Sequence, residues 1–123
     1  QIMNNVSPRL FENSDTIYRD FIYIEDVVQA NIKACNPKNS GTYNVGTGES
    51  RSFQDIVNIL QKELKTSLKI DYFKNPFEGY QSNTKADIAT TKADLNFIPN
   101  FTLEKGIKAY MPEIKRLYGQ KIE

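Results

Sequence analysis

Residues 42–64 hold a strand-type run, a glycine turn and an amphipathic helix in immediate succession. Thr42-Tyr43-Asn44-Val45 has β-branched and aromatic content, and Gly46-Thr47-Gly48 turns the chain. Ser52-Phe53-Gln54-Asp55 then forms a capping box in which Asp stands for the usual Glu or Gln. Behind it, Phe53, Ile56, Val57, Leu60 and Leu64 fall on one helical face. A strand that passes straight into a helix with one apolar stripe needs other elements to cover that stripe, which makes the fold class mixed α/β. The paired glycines predict a tight turn where a backbone must come close to something.

The same alternation runs through the rest of the sequence. Arg9-Leu10-Phe11 is expected as a short strand entering the turn Glu12-Asn13-Ser14-Asp15. Phe21-Ile22-Tyr23-Ile24 reads as a strand, and Asp26 as the cap of a helix whose inner face is Val27, Ala30 and Ala34. Asn36-Pro37 ends that helix. Leu68 to Phe73 alternates as a strand does, and a loop with Pro76 and Gly79 follows. Asp87 is expected to cap a short helix carrying Ile88 and Leu95. Thr102 is expected to cap a last helix with Leu103, Ile107, Tyr110, Ile114 and Leu117, kinked or split by Pro112 near Met111. So few strands do not complete a doubly wound sheet, so residues 1–123 read as one small lobe of something larger.

Composition removes several functions. Sixteen basic and 15 acidic side chains leave a net charge of +1, too little for a strongly electrostatic nucleic-acid footprint. Histidine is absent, which removes Ser-His-Asp and Cys-His catalysis and every His-containing zinc site. No run approaches the ~20 apolar residues of a membrane span. The N-terminus lacks the pattern of a signal peptide, and its start at Gln1 rather than Met points to a fragment or a processed chain. Cys35, the one cysteine, has no partner for an internal disulfide, so a reducing, cytoplasmic setting is expected. Its apolar helical neighbourhood predicts a small core residue.

Candidate site residues emerge by elimination. Gly46-Thr47-Gly48 does not complete G-x-G-x-x-G, because position 51 is Arg51. None of the seven tyrosines is followed four positions later by lysine, so a Tyr-x-x-x-Lys proton-shuttle pair is absent from this chain. Glu25-Asp26, and Asp15 with Asp20, read as caps and solvated charges. Arg19, at the start of a strand, either presents its planar fork to phosphate oxygens or pairs with a nearby acid. Phe11, just before a polar turn, either stacks on a flat base or belongs to the core. Tyr80-Gln81, in a loop after Gly79, can reach a ligand.

These segments together carry a resemblance. Arg19-Asp20-Phe21-Ile22-Tyr23-Ile24-Glu25-Asp26-Val27 resembles the R-D-F-[VI]-Y-[VI]-x-D-V segment of extended short-chain dehydrogenases that act on nucleotide sugars. Tyr43-Asn44-Val45-Gly46-Thr47-Gly48 resembles their [YF]-N-[VL]-G-[TS]-G strand and turn. Pro8-Arg9-Leu10-Phe11-Glu12, Gly79-Tyr80-Gln81 with Thr84-Lys85-Ala86-Asp87, and Phe101 to Ile107 with Tyr110-Met111 are similar to the ADP-L-glycero-D-manno-heptose 6-epimerase family. The likeness covers nearly the whole chain but only the last third or so of such an enzyme.

The resemblance implies a substrate-binding lobe without the NADP-binding Rossmann half. It implies a parent isomerase that inverts C6 of the heptose by transient oxidation and re-reduction on NADP, in lipopolysaccharide core precursor synthesis. Phe11, Glu12, Asn13 and Ser14 match the family's segment beside the ADP part of the substrate, Arg19 its pyrophosphate arginine and Tyr80 its substrate-binding tyrosine. Asn13 stands where the family has glycine, and Asn tolerates left-handed backbone better than most residues. Catalytic and cofactor-binding groups would lie upstream, so this chain alone is expected to be inactive and to hold no NADP. The implied partners are an ADP-sugar, the N-terminal Rossmann domain and further copies in a homo-oligomer. Two other readings stay open: a lobe of another nucleotide-sugar epimerase or dehydratase, and a stand-alone nucleotide-sugar binding module.

Overall fold

In the computed structural model, which describes residues 1–118, short strands alternate with helices. The strands are β1 (Arg9–Phe11), β2 (Tyr18–Arg19), β3 (Arg51–Ser52) and β4 (Asp71–Phe73). The helices are α1 (Ile24–Ala34), α2 (Phe53–Leu64), α3 (Ala89–Leu95) and α4 (Leu103–Tyr118). Single 3-10 turns occupy Ile2–Asn4 and Ser14–Thr16. β1 and β4 pair in parallel with Phe11 opposite Phe73, and β2 and β3 pair antiparallel with Arg19 opposite Arg51. The parallel pair demands a long crossover, and α1 and α2 lie within it.

The α2 capping box forms as the sequence predicts. Ser52 Oγ accepts from Asp55 N at 3.0 Å, and Asp55 Oδ2 accepts from Ser52 N at 3.1 Å. Val57 is buried, and the rest of the stripe is half-buried against α4. Arg51 ties this end to α4, donating from Nη1 to Glu104 Oε1 at 2.7 Å. Thr102 Oγ1 caps α4 through Lys105 N at 3.3 Å, and Asp87 Oδ1 takes Ala89 N at 3.0 Å at the start of α3. A second small core gathers Ala30, Leu95 and Phe97, with Ile22 and Tyr43 packed against it.

Several expectations need correction. Phe21–Tyr23 and Thr42–Val45 are not in strands, because no neighbouring segment among the described residues offers them a ladder. The strand residues lie just upstream, at Tyr18–Arg19. Asp26 does not cap its own helix. It sits inside α1, fully buried, and both its oxygens accept Asn100 N while Oδ2 also accepts Phe101 N at 3.0 Å. Ala34 and Cys35 are exposed rather than internal, since the last turn of α1 extends past the core. Pro112 does not split α4, which continues to Tyr118. The helix loses one backbone bond there, but Met111 is buried and anchors that turn. On α4, Tyr110 and Leu117 are exposed, whereas Gly106 and Met111 are buried.

Candidate functional site

A cavity of about 180 Å³ opens between β1, the Ser14–Thr16 turn, the start of α2 and the loop at Tyr80. Phe11, Ser14 and Tyr80, singled out from sequence, all line it, together with Phe53 and Phe73. Phe11 meets three rings edge-on: Phe73 at 5.0 Å, Tyr80 at 5.6 Å and Phe77 at 6.3 Å. Ser14 is 1% exposed, and its Oγ has no hydrogen-bond partner among the described residues. A buried hydroxyl at an aromatic cavity is a polar group that a ligand can satisfy. Glu12 and Asn13 are exposed in the turn that joins Phe11 to Ser14 and do not line the cavity. The Glu12 amide extends the β1–β4 ladder to Phe73 O at 2.9 Å. Asn13 adopts φ 59°, the left-handed geometry its residue type tolerates.

Arg19 is half-buried beside this cavity. Its Nη1 donates to Tyr18 O and its Nη2 to Gln81 O, each at 2.7 Å. Its Cζ lies 5.0 Å from the Tyr80 ring centre and 5.8 Å from that of Phe53. Arg19 makes no ion pair among the described residues. Of the two readings left open, the paired surface arginine is therefore not what the structure has. An aromatic cavity with an uncompensated guanidinium at its side can take a flat ring with an attached anion.

Asp20, the next residue, has a different task. Oδ1 accepts Thr47 N at 2.8 Å and Thr47 Oγ1 at 2.5 Å, and Oδ2 accepts Gly48 N at 2.9 Å and Ala86 N at 3.1 Å. Burial raises its pKa, but these hydrogen bonds outweigh burial and hold the carboxyl below its ordinary 3.8. Asp20 reads as a solvated charge in the sequence, but in the fold one carboxylate ties three distant segments together. Gly46 is the close approach foreseen at the turn, since a Cβ there would stand 2.5 Å from Ala86 Cβ and 2.7 Å from Asp20 Oδ2. The turn does not fit a dinucleotide phosphate, because Asp20 already takes the Thr47 and Gly48 amides. Phe53, Phe73 and Phe77 were not singled out as site residues. Phe53 carried one available signal, its place directly after the Ser52 cap, at the open end of the helical stripe.

Elsewhere, an apolar groove of about 250 Å³ runs between Phe21–Ile24 and α4, lined by Gly106, Ile107, Tyr110 and Ile114. It holds no charged side chain and none of the residues expected to bind. No group of His, Cys, Asp and Glu suited to a metal occurs among the described residues. No described helix is long and apolar enough to cross a membrane.

No protein-family model matches the chain. Solved structures do. The Helicobacter pylori ADP-L-glycero-D-manno-heptose-6-epimerase is 45% identical, with TM-score 0.79, over 88% of this chain and 33% of that one. UDP-glucuronic acid 4-epimerase from Bacillus cereus, solved with a fluorinated UDP-sugar and NAD, is 29% identical with TM-score 0.86, over 96% and 38%. UDP-glucose 4-epimerase from Thermotoga maritima shares the fold at 23% identity, with TM-score 0.85 over 94% and 37%. The chain spans 33% to 38% of the length of these enzymes. The chain is thus a small mixed α/β lobe that is similar to the C-terminal part of nucleotide-sugar epimerases of the extended short-chain dehydrogenase/reductase type.

Proposed function

We propose that residues 1–123 are the substrate-binding domain of a nucleotide-sugar epimerase, specifically one that inverts C6 of ADP-glycero-manno-heptose in the cytoplasm for lipopolysaccharide core synthesis. The grouping of Phe11, Ser14 and Tyr80 around one cavity, with the unpaired charge of Arg19 at the Tyr80 ring, carries this reading. The aromatic walls receive the adenine, the Ser14 hydroxyl and the Glu12-Asn13 turn meet the ribose side, and Arg19 binds the diphosphate. Tyr80 closes the site and offers its phenol to the substrate. The 45% identity to the heptose enzyme favours ADP over UDP.

The redox chemistry belongs to NADP, held by a preceding Rossmann domain, and this chain contributes binding and orientation. The Phe21–Ile24 groove and the exposed α1 residues Ile24, Val28 and Ile32 form the apolar surface that this preceding domain covers. The segments Phe21–Tyr23 and Thr42–Val45, strand-like in sequence but unpaired, gain their ladder partners in the same way. The parent enzyme works as a homo-oligomer.

Titration of the chain with ADP, UDP, GDP and their sugar conjugates tests this assignment. Saturable binding that prefers ADP and drops about tenfold or more in Arg19→Ala is expected, the scale of a lost charge-assisted contact. Preference for UDP or GDP would transfer the domain to another nucleotide-sugar epimerase. Binding unchanged in Arg19→Ala would remove the diphosphate role.

A further inference from the structure

We propose that Phe53 is a positioning residue that orders the Arg19 guanidinium before a diphosphate arrives; the idea rests on the assignment of Arg19 to that group. Four contacts define where the guanidinium lies. The Tyr80 ring is 5.0 Å away and the Phe53 ring 5.8 Å away. The carbonyls of Tyr18 and Gln81 each take one Nη at 2.7 Å. Two of the five guanidinium N–H groups are thus spent on fixing direction, and three remain for an anion. The aromatic contacts hold the cation without neutralising it, whereas a carboxylate in their place would compete with phosphate. An arginine ordered in advance loses less side-chain freedom when its ligand binds.

Phe53 is itself held from three directions. It is the first residue of α2, directly behind the Ser52–Asp55 capping box. Its amide donates to Ile17 O at 3.3 Å. The Phe21 ring braces it edge-on at 5.5 Å with an interplanar angle of 81°. Support therefore runs from the helix cap to the Phe53 ring and on to the Arg19 head group. Phe53 also lines the cavity beside Phe11, Ser14 and Tyr80.

Phe53→Leu and Phe53→Tyr, each in the wild-type and Arg19→Ala backgrounds, would be titrated with ADP and with adenosine. Phe53→Leu is expected to lower the ratio of ADP to adenosine affinity about five- to tenfold, the scale of a partly desolvated cation–π contact. Phe53→Tyr should restore the ratio, and Phe53→Leu should add nothing once Arg19 is alanine. An equal loss for both ligands, or a loss that persists in Arg19→Ala, would make Phe53 a cavity wall only and overturn the proposal. A second readout needs no ligand. The Arg19 guanidinium N–H signals in NMR should broaden and exchange faster with water in Phe53→Leu, and unchanged signals would overturn the proposal. If the wild-type chain shows no preference for ADP over adenosine, the diphosphate reading fails, and the NMR comparison still decides the positioning role. Phe53→Met serves in place of Phe53→Leu if that variant lacks a cooperative thermal transition.

Discussion

Arg19 and Asp20 are neighbours in sequence with opposite relations to solvent and charge. Arg19 makes no ion pair among the described residues and sits beside an aromatic cavity, while Asp20 spends all its acceptor capacity on backbone amides and the Thr47 hydroxyl. Replacing Asp20 by Asn turns one oxygen into an NH2 that faces N–H donors. Asp20→Asn is therefore expected to cost about 1–3 kcal/mol in urea unfolding at neutral pH. The pH dependence has a definite sign. A carboxyl held below its ordinary 3.8 stabilises the fold fully above that value and loses its contribution as pH falls further, through its lowered value in the fold. The gap between wild type and Asp20→Asn should narrow below about pH 4, and a gap independent of pH would refute the latch. At this scale the candidate site was partly legible. Phe11 and Tyr80 announced themselves as aromatics next to polar turns, and Asn13 as a residue that tolerates φ 59°. The tasks of Asp20 and Asp26 were hidden, because their partners stand far along the chain, at Ala86 for one and Asn100 for the other.

Elements whose instructions are local matched the sequence reading. α2 has its N-cap, its reciprocal Asp55 and its stripe within a few residues, and each is where the spacing puts it. Ser52→Ala should destabilise the domain by about 1 kcal/mol, read from thermal unfolding, as expected for a lost N-cap. Because Phe53 follows this cap directly and is proposed to position Arg19, the same variant should weaken ADP binding more than adenosine binding. The short strands are another matter. A strand exists only when a second segment presents its edge, so Phe21–Tyr23 and Thr42–Val45 stay outside any sheet despite β-type composition. Pro112 does not split α4, and the buried Met111 anchors the turn where the backbone bond is missing.

Across the whole molecule, the apolar side chains divide between covered and uncovered faces. Ala30, Leu95 and Phe97 are covered, while Ile24 at 58%, Val28 at 48% and Ile32 at 58% exposure form a stripe down the outer side of α1. Substituting all three by Ser removes little packing within the chain, so each should shift unfolding by no more than about 0.5 kcal/mol. Sedimentation of the same variant should show less self-association than wild type. A large loss of stability would instead place the stripe in this domain's own core. What the sequence determined unaided is what local spacing can encode: the mixed α/β alternation, the α2 and α4 caps, the glycine turn and the aromatic and basic residue types of the site. Only the tertiary structure decided which carboxylates became latches, which strand-like segments found a ladder and which face of α1 stayed bare. Those outcomes depend on partners tens of residues away, and a hydrogen bond or a buried face is a property of two segments, never of one.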